Sequence, residues 1–227
     1  MAFIYRKKKV LVRRRFFGNS LTGFTLLELV VVAGIIVILT AVTLANFSGF
    51  RSDLALQREA NKISLVLRKA QTFALAVREF NSGPSYNDDP FCVRPPVRFP
   101  PYGVSFSTIA GAGGDRRSSQ TYIIFGDSSC DTSYTAGGNN EEVEVLNIGN
   151  GVKITSIAGK GGVCAGGCDL TSAHAVYQRP APTVVLSGSS NGAPVSGLSS
   201  IEVILEIPGQ GLLKKVIITV TGQVSVE

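Results

Sequence analysis

The sequence predicts an α+β protein: a long N-terminal α-helix, membrane-spanning in its first half, packed by its second half on an antiparallel β-sheet. Three observations lead there. An apolar run begins near residue 24, a stripe of apolar residues at helical spacing continues beyond residue 50, and the remainder is a series of short β-like runs separated by Gly, Ser and Asn. At 227 residues the chain has room for a domain and an anchor, not for several large domains.

The anchor comes first. Residues 1–23 hold Arg6, Lys7, Lys8, Lys9, Arg13, Arg14 and Arg15 and no acid, whereas the other 204 residues hold 15 basic and 16 acidic groups. The net +6 is therefore a basic head on a near-neutral protein, without the broad basic footprint of a nucleic-acid binder. From Leu29 to Ala45 there are 17 residues without a charge, and a helix of about 20 such residues crosses a hydrocarbon core of about 30 Å. The positive-inside bias keeps the basic head cytoplasmic and sends everything after residue 50 across. The expected location is thus a single-pass cytoplasmic (inner) membrane protein with an extracytoplasmic C-terminal domain.

Glu28 needs an explanation, because an ionised carboxylate at membrane depth costs several kcal/mol. A conventional signal peptide has an apolar core of only about 7 to 15 residues; Thr43-Leu44-Ala45 imitates its cleavage site, but the run before it is longer and begins with an acid. An ordinary signal anchor has the right length and no use for Glu28. A position at the interfacial end of the span would make its cost small.

The helix is expected to continue to about Phe80. Leu56, Ala60, Ile63, Leu67, Ala70, Ala74 and Val77 recur at alternating steps of four and three, Arg58, Lys62, Lys69 and Arg78 lie off that stripe, and no Pro interrupts residues 24–83. At 1.5 Å per residue such a helix is about 85 Å long. The Pro-rich segment "SGPSYNDDPFCVRPPVRFPP" ends it. Eight β-like runs follow: "YGVSFS", "TYIIFGD", "EVEVLNI", "GVKITSIA", "TVVLSG", "SIEVILEI", "KKVIITV" and "QVSVE". The last two read as a hairpin around Thr221-Gly222, and Val203, Leu205 and Ile207 alternate with Glu202, Ile204 and Glu206 as in a sheet with one covered face. The domains expected are 1–23, 24–50, 51–82 and 83–227.

"GFTLLELVVVAGIIVILTAVTLANF" resembles the class III leader and N-terminal helix of type IV pilins and type II secretion pseudopilins. The resemblance implies that prepilin peptidase removes a leader of residues 1–23 by cutting after Gly23, that the new N-terminal Phe24 is N-methylated, and that Glu28, the fifth mature residue, serves assembly. A paired charge makes a buried carboxylate tolerable; in a filament Glu28 would meet the Phe24 amine of a neighbouring subunit and fix helix register. "LRKAQTFAL", the Pro-rich break, "YIIFGD", "GVKI", "RPAPTVVL" and "KVIITVTGQVSV" together resemble the GspH/FimT-type minor pseudopilins. The family implies other pilins or pseudopilins, an inner-membrane assembly platform and a separate ATPase motor as partners; this chain has no Gly-rich loop with Gly-Lys-Ser/Thr. A filament-displayed binding module, such as a FimT-like minor pilin taking up DNA, is the alternative.

No enzyme chemistry and no cofactor are expected. His174 is the single histidine, with no nucleophile beside it in sequence. Four cysteines in an exported domain read first as disulfides, with Cys164–Cys168 closing a Gly-Gly loop and Cys92–Cys130 favoured among three connectivities; a zinc site built from all four thiolates is the alternative. Asp127, Asp131, Asn139, Glu141 and Glu142 offer oxygens to calcium but match no EF-hand spacing, and Asp127 and Asp131 are the weak candidates. Arg116 and Arg117 with Lys214 and Lys215 make a candidate basic patch, solvated charge being the simpler reading.

Overall fold

The computed structural model describes residues 23–80, 96–111, 115–136, 141–179 and 183–227. The chain divides into two compact units, Met1–Asn46 and Phe47–Glu227. Helix α1 runs Leu26–Leu75. In the first unit its stretch Leu26–Leu44 has a mean hydropathy of 2.7 and no buried side chain, which makes it long and apolar enough to cross a membrane. In the second unit the helix is amphipathic, and Leu56, Ala60, Ile63, Leu67, Ala70 and Ala74 are buried, joined by Val66.

The helix ends five residues before the expected Phe80, and the backbone shows why. Val77 N–H donates to the Ala74 carbonyl and Arg78 N–H to the Phe73 carbonyl, with Val77 at φ 51°. This is a Schellman stop, usually made with glycine in the left-handed position. Val77, expected to close the apolar stripe, is turned outward and 48% exposed. The end is held by Tyr102, whose hydroxyl donates to the Arg78 carbonyl at 3.0 Å and whose ring meets Phe73 edge-on at 5.7 Å.

The described residues hold eleven strands: β1 (Tyr102–Ser107), β2 (Thr121–Gly126), β3 (Glu142–Asn147), β4 (Lys153–Gly161), β5 (Cys164–Leu170), β6 (Ser172–Tyr177), β7 (Val184–Ser190), β8 (Ala193–Val195), β9 (Ser200–Glu206), β10 (Leu213–Thr219) and β11 (Val224–Val226). All their pairings are antiparallel. They form two sheets where one was expected, a six-stranded sheet in the order β3-β2-β1-β6-β7-β8 and a five-stranded sheet in the order β11-β10-β9-β4-β5. Size explains the difference. Eleven strands side by side at about 4.8 Å would extend roughly 50 Å, and one helix, about 10 Å across, covers a fifth of that. A second sheet covers what the helix leaves open.

The core accordingly draws on three sources: Leu56, Ile63 and Leu67 from α1; Val104, Phe106, Ile124 and Leu186 from the six-stranded sheet; and Ile157, Val203, Leu205 and Ile218 from the five-stranded one. In β9, burial alternates along Ile201, Val203 and Leu205, as the sequence pattern requires of a sheet with one covered face. The β10–β11 hairpin pairs Ile218 with Val224 and turns through Gly222 at φ 81°. The other sheet behaves differently: every residue of β1 and β6 is buried, so its outer face is covered as well. The cover is the segment after β2, where Tyr134 packs on Ile123, Phe125 and Val176.

Candidate functional site

Two regions gather the residues singled out by sequence. The first is the start of α1. Thr25 is its N-cap: the Thr25 Oγ1 accepts from the Glu28 backbone N–H at 3.2 Å. Thr25 and Glu28 thus have the T-x-x-E spacing of a capping box, which was legible in "TLLE" before an apolar run and is a role for Thr25 that the motif reading missed. Glu28 sits in the first helical turn, the position at which the helix dipole favours a negative charge. A side chain built on Gly23 would meet nothing within 4 Å. Phe24 is 78% exposed, and Leu26, Leu27 and Leu29 beside it are open too.

The second region is the outer face of the six-stranded sheet. Facing positions on β1, β6 and β7 form two polar rows there, Ser107–Ser172–Ser189 and Ser105–His174–Ser187. His174 is buried, and burial drives its pKa down to about 3, with the nearby Arg117 cation adding to the drop; the imidazole is neutral at ordinary pH. Its Nδ1 and the Ser105 Oγ have no hydrogen-bond partner among the described residues. A cleft of about 510 Å³ opens over this floor, walled by Ile109, Asp115, Arg117 and Tyr134. Arg117 forms an ion pair with Asp115, at 2.7 Å from Nη2 and 2.8 Å from Nε, and its guanidinium lies 5.2 Å from the Tyr134 ring centre. Burial alone would raise the Asp115 pKa, but the Arg117 hydrogen bonds and charge outweigh it and hold the carboxyl below its usual range.

The loop that walls this cleft holds the candidate cation ligands, and its geometry gives them another role. The buried Asp127 carboxylate accepts from the backbone N–H groups of Asp131 and Thr132, and the buried Glu141 carboxylate from those of Ser129 and Thr135. Oxygens facing N–H donors are spent on holding a loop. Burial and then the Glu141 charge raise the Asp127 pKa to about 7. Asn139 lies outside the described residues, and Asp131 bonds to Ser133 within the loop. Among the described residues no three His, Cys, Asp or Glu side chains gather as a metal site.

Cys164 and Cys168 are disulfide-bonded, their Cα atoms 5.4 Å apart. They lie inside β5 rather than in a plain loop: Gly161 faces Cys164 and Gly159 faces Cys168, so the three residues between the cysteines oppose a single residue of β4 and bulge outward. Cys130 is disulfide-bonded, and Cys92 lies outside the described residues. With these cysteines bonded, their thiolates are not offered to zinc. The candidate basic patch is not assembled. Arg116 pairs with Glu142 at 3.1 Å and Arg117 with Asp115, while Lys214 and Lys215 lie on β10 in the other sheet.

Fold and sites together define a class: an α+β protein with one exposed apolar helix long enough to cross a membrane and an antiparallel β domain. No family model, no curated protein and no solved structure matches the chain.

Proposed function

We propose that this chain is a prepilin-like structural subunit, of the GspH/FimT minor pseudopilin type, assembled through α1 into a type II secretion pseudopilus or a type IV pilus. The observation that carries the reading is the state of Leu26–Leu44: an apolar helix with no buried side chain, opened by an acid in its first turn and preceded by Gly-Phe. Such a surface needs lipid before assembly and other helices after it. Gly23 adds support. Among the described residues nothing around it requires glycine there, whereas a peptidase approaching the next peptide bond benefits from a missing side chain.

On this reading prepilin peptidase cuts between Gly23 and Phe24 at the cytoplasmic face and the Phe24 amine is methylated. A separate ATPase and an inner-membrane platform then move the helix from lipid into the filament. The β domain remains on the outside. Intact-mass analysis of the protein from its native membrane tests this: loss of residues 1–23 with gain of one methyl group supports it, and a mature chain beginning at Asn46 overturns it.

A further inference from the structure

The assembly proposed through α1 makes no use of the cleft over β1, β6 and β7. Its surroundings make it distinctive. At the other end of the same sheet face, Ile123, Phe125 and Val176 pack under Tyr134 as a small apolar core. Beneath the cleft the floor changes to Ser107, Ser172, His174 and Ser189. Polar side chains placed where the neighbouring sheet face is apolar cost free energy unless something pairs with them. The Nδ1 of His174, a residue only 4% exposed, has no such partner among the described residues.

The cleft is also held in shape. Asp127 and Glu141 fix the turns of the covering loop, and the Ser187 hydroxyl donates to the Thr132 carbonyl, tying that loop to β7. A wall fixed in advance lowers the ordering cost of binding.

The chemistry of the lining selects the ligand. An anion would need a cation, and the one cation in the wall among the described residues, Arg117, is already engaged by Asp115; drawing it away would strand a half-buried carboxylate. An apolar ligand would desolvate the Ser172 and Ser189 hydroxyls of the lining without repaying them. An extended peptide would seek an open strand edge, but β6 is paired along its whole length on both sides and β7 is covered by β8 at Gly188, Ser189 and Ser190, the part that lines the cleft. What remains is an uncharged molecule that donates and accepts all around its rim and has apolar C–H faces to set on Ile109 and Pro194. We propose that this cleft binds a neutral saccharide.

The single histidine makes the test specific, because the imidazole resonances of the full chain report one place only. The protein is placed in lipid nanodiscs, since glycoside detergents are themselves saccharides, and titrated with maltotriose, N-acetylglucosamine trimer and mannotriose. A sulfated heparin tetrasaccharide and the tripeptide Gly-Ser-Gly serve as competitors of other chemistry. The expected result is a saturable shift of the His174 signals with at least one neutral sugar. Ser172→Val, which puts two methyl groups in place of a floor hydroxyl, weakens it about tenfold or more. Should that variant misfold, Ser189→Val, at a less buried position of the same row, carries the same expectation. No shift with any neutral sugar up to about 50 mM overturns the proposal, as does a shift produced only by the sulfated sugar or the peptide, or one that both valine variants leave unchanged.

Discussion

Helix α1 has two halves with different solutions to one problem. Between Leu26 and Leu44 no apolar side chain is buried among the described residues, whereas between Leu56 and Ala74 six apolar residues on one stripe are buried against two sheets. The halves also differ in how their charges are treated. Glu28 is exposed in the first turn; Glu59 is 6% exposed, taking a hydrogen bond from Asn150 at 3.4 Å and facing Lys62 at 3.6 Å. The second half is a structural part of its domain. The first carries exposed apolar surface long enough to cross a membrane, so substitutions in the two halves should fail in different assays.

The largest effect expected is Leu67→Asp. It places an unpaired carboxylate in a fully buried position and should cost about 4 kcal/mol or more, enough to abolish cooperative urea unfolding of the β domain by circular dichroism. Leu39→Asp, in the exposed half, should leave that transition in place and instead impair membrane insertion, at about 3 kcal/mol for an acid at the bilayer centre. Equal effects in either assay would break the comparison. The two glutamates sharpen it: Glu59→Ala should act on domain stability, by about 1 kcal/mol, through loss of the long hydrogen bond from the exposed Asn150. Glu28→Ala should leave domain stability unchanged and lower incorporation into filaments in competition with the native subunit; normal incorporation would remove Glu28 from assembly.

Legibility in the sequence followed the same division. The apolar span and the stripe Leu56 to Ala74 were readable because one residue type repeats at one period. The helix end was not: a valine in the left-handed conformation is held there by Tyr102 and Phe73, partners no local pattern announces. The eight expected runs all lie in strands, but β5, β6 and β8 were missed. "CAGGCDL" has the glycines of a loop, "APV" is three residues with a proline, and "SAHAVY" does not alternate because both its faces are buried. Missing β6 hid the topology, since it joins β1 to β7. It hid the cleft too: His174 had no visible neighbours until Ser105 and Ser187 were brought alongside, and Arg117 looked like free charge until Asp115 folded onto it.

Val77 allows a gain rather than a loss. A β-branched residue at φ 51° bears a conformational cost of about 1 to 2 kcal/mol, and little apolar burial is forfeited by removing a side chain that is half exposed. Val77→Gly should raise the urea midpoint, by about 0.5 to 1 kcal/mol once the extra freedom of glycine in the unfolded chain is subtracted. A lower midpoint would mean that the Val77 side chain contributes contacts outweighing the strain.

The smallest effect tests the solvent side of the same turn that holds Leu67. Lys69 points away from the core and meets Glu144 of β3, with both side chains about two-fifths exposed. It is also 5.6 Å from the centre of the Phe73 ring. Water competes for both ions and salt screens them, so the pair should contribute no more than about 0.5 kcal/mol. Lys69→Ala should therefore shift the midpoint slightly in low salt, and the difference should vanish near 1 M NaCl, where the screening length is about 3 Å. A loss that persists in high salt would come from the aliphatic stem packing on Phe73 rather than from charge. It would show that the covered face of α1 is wider than the single stripe the sequence displays.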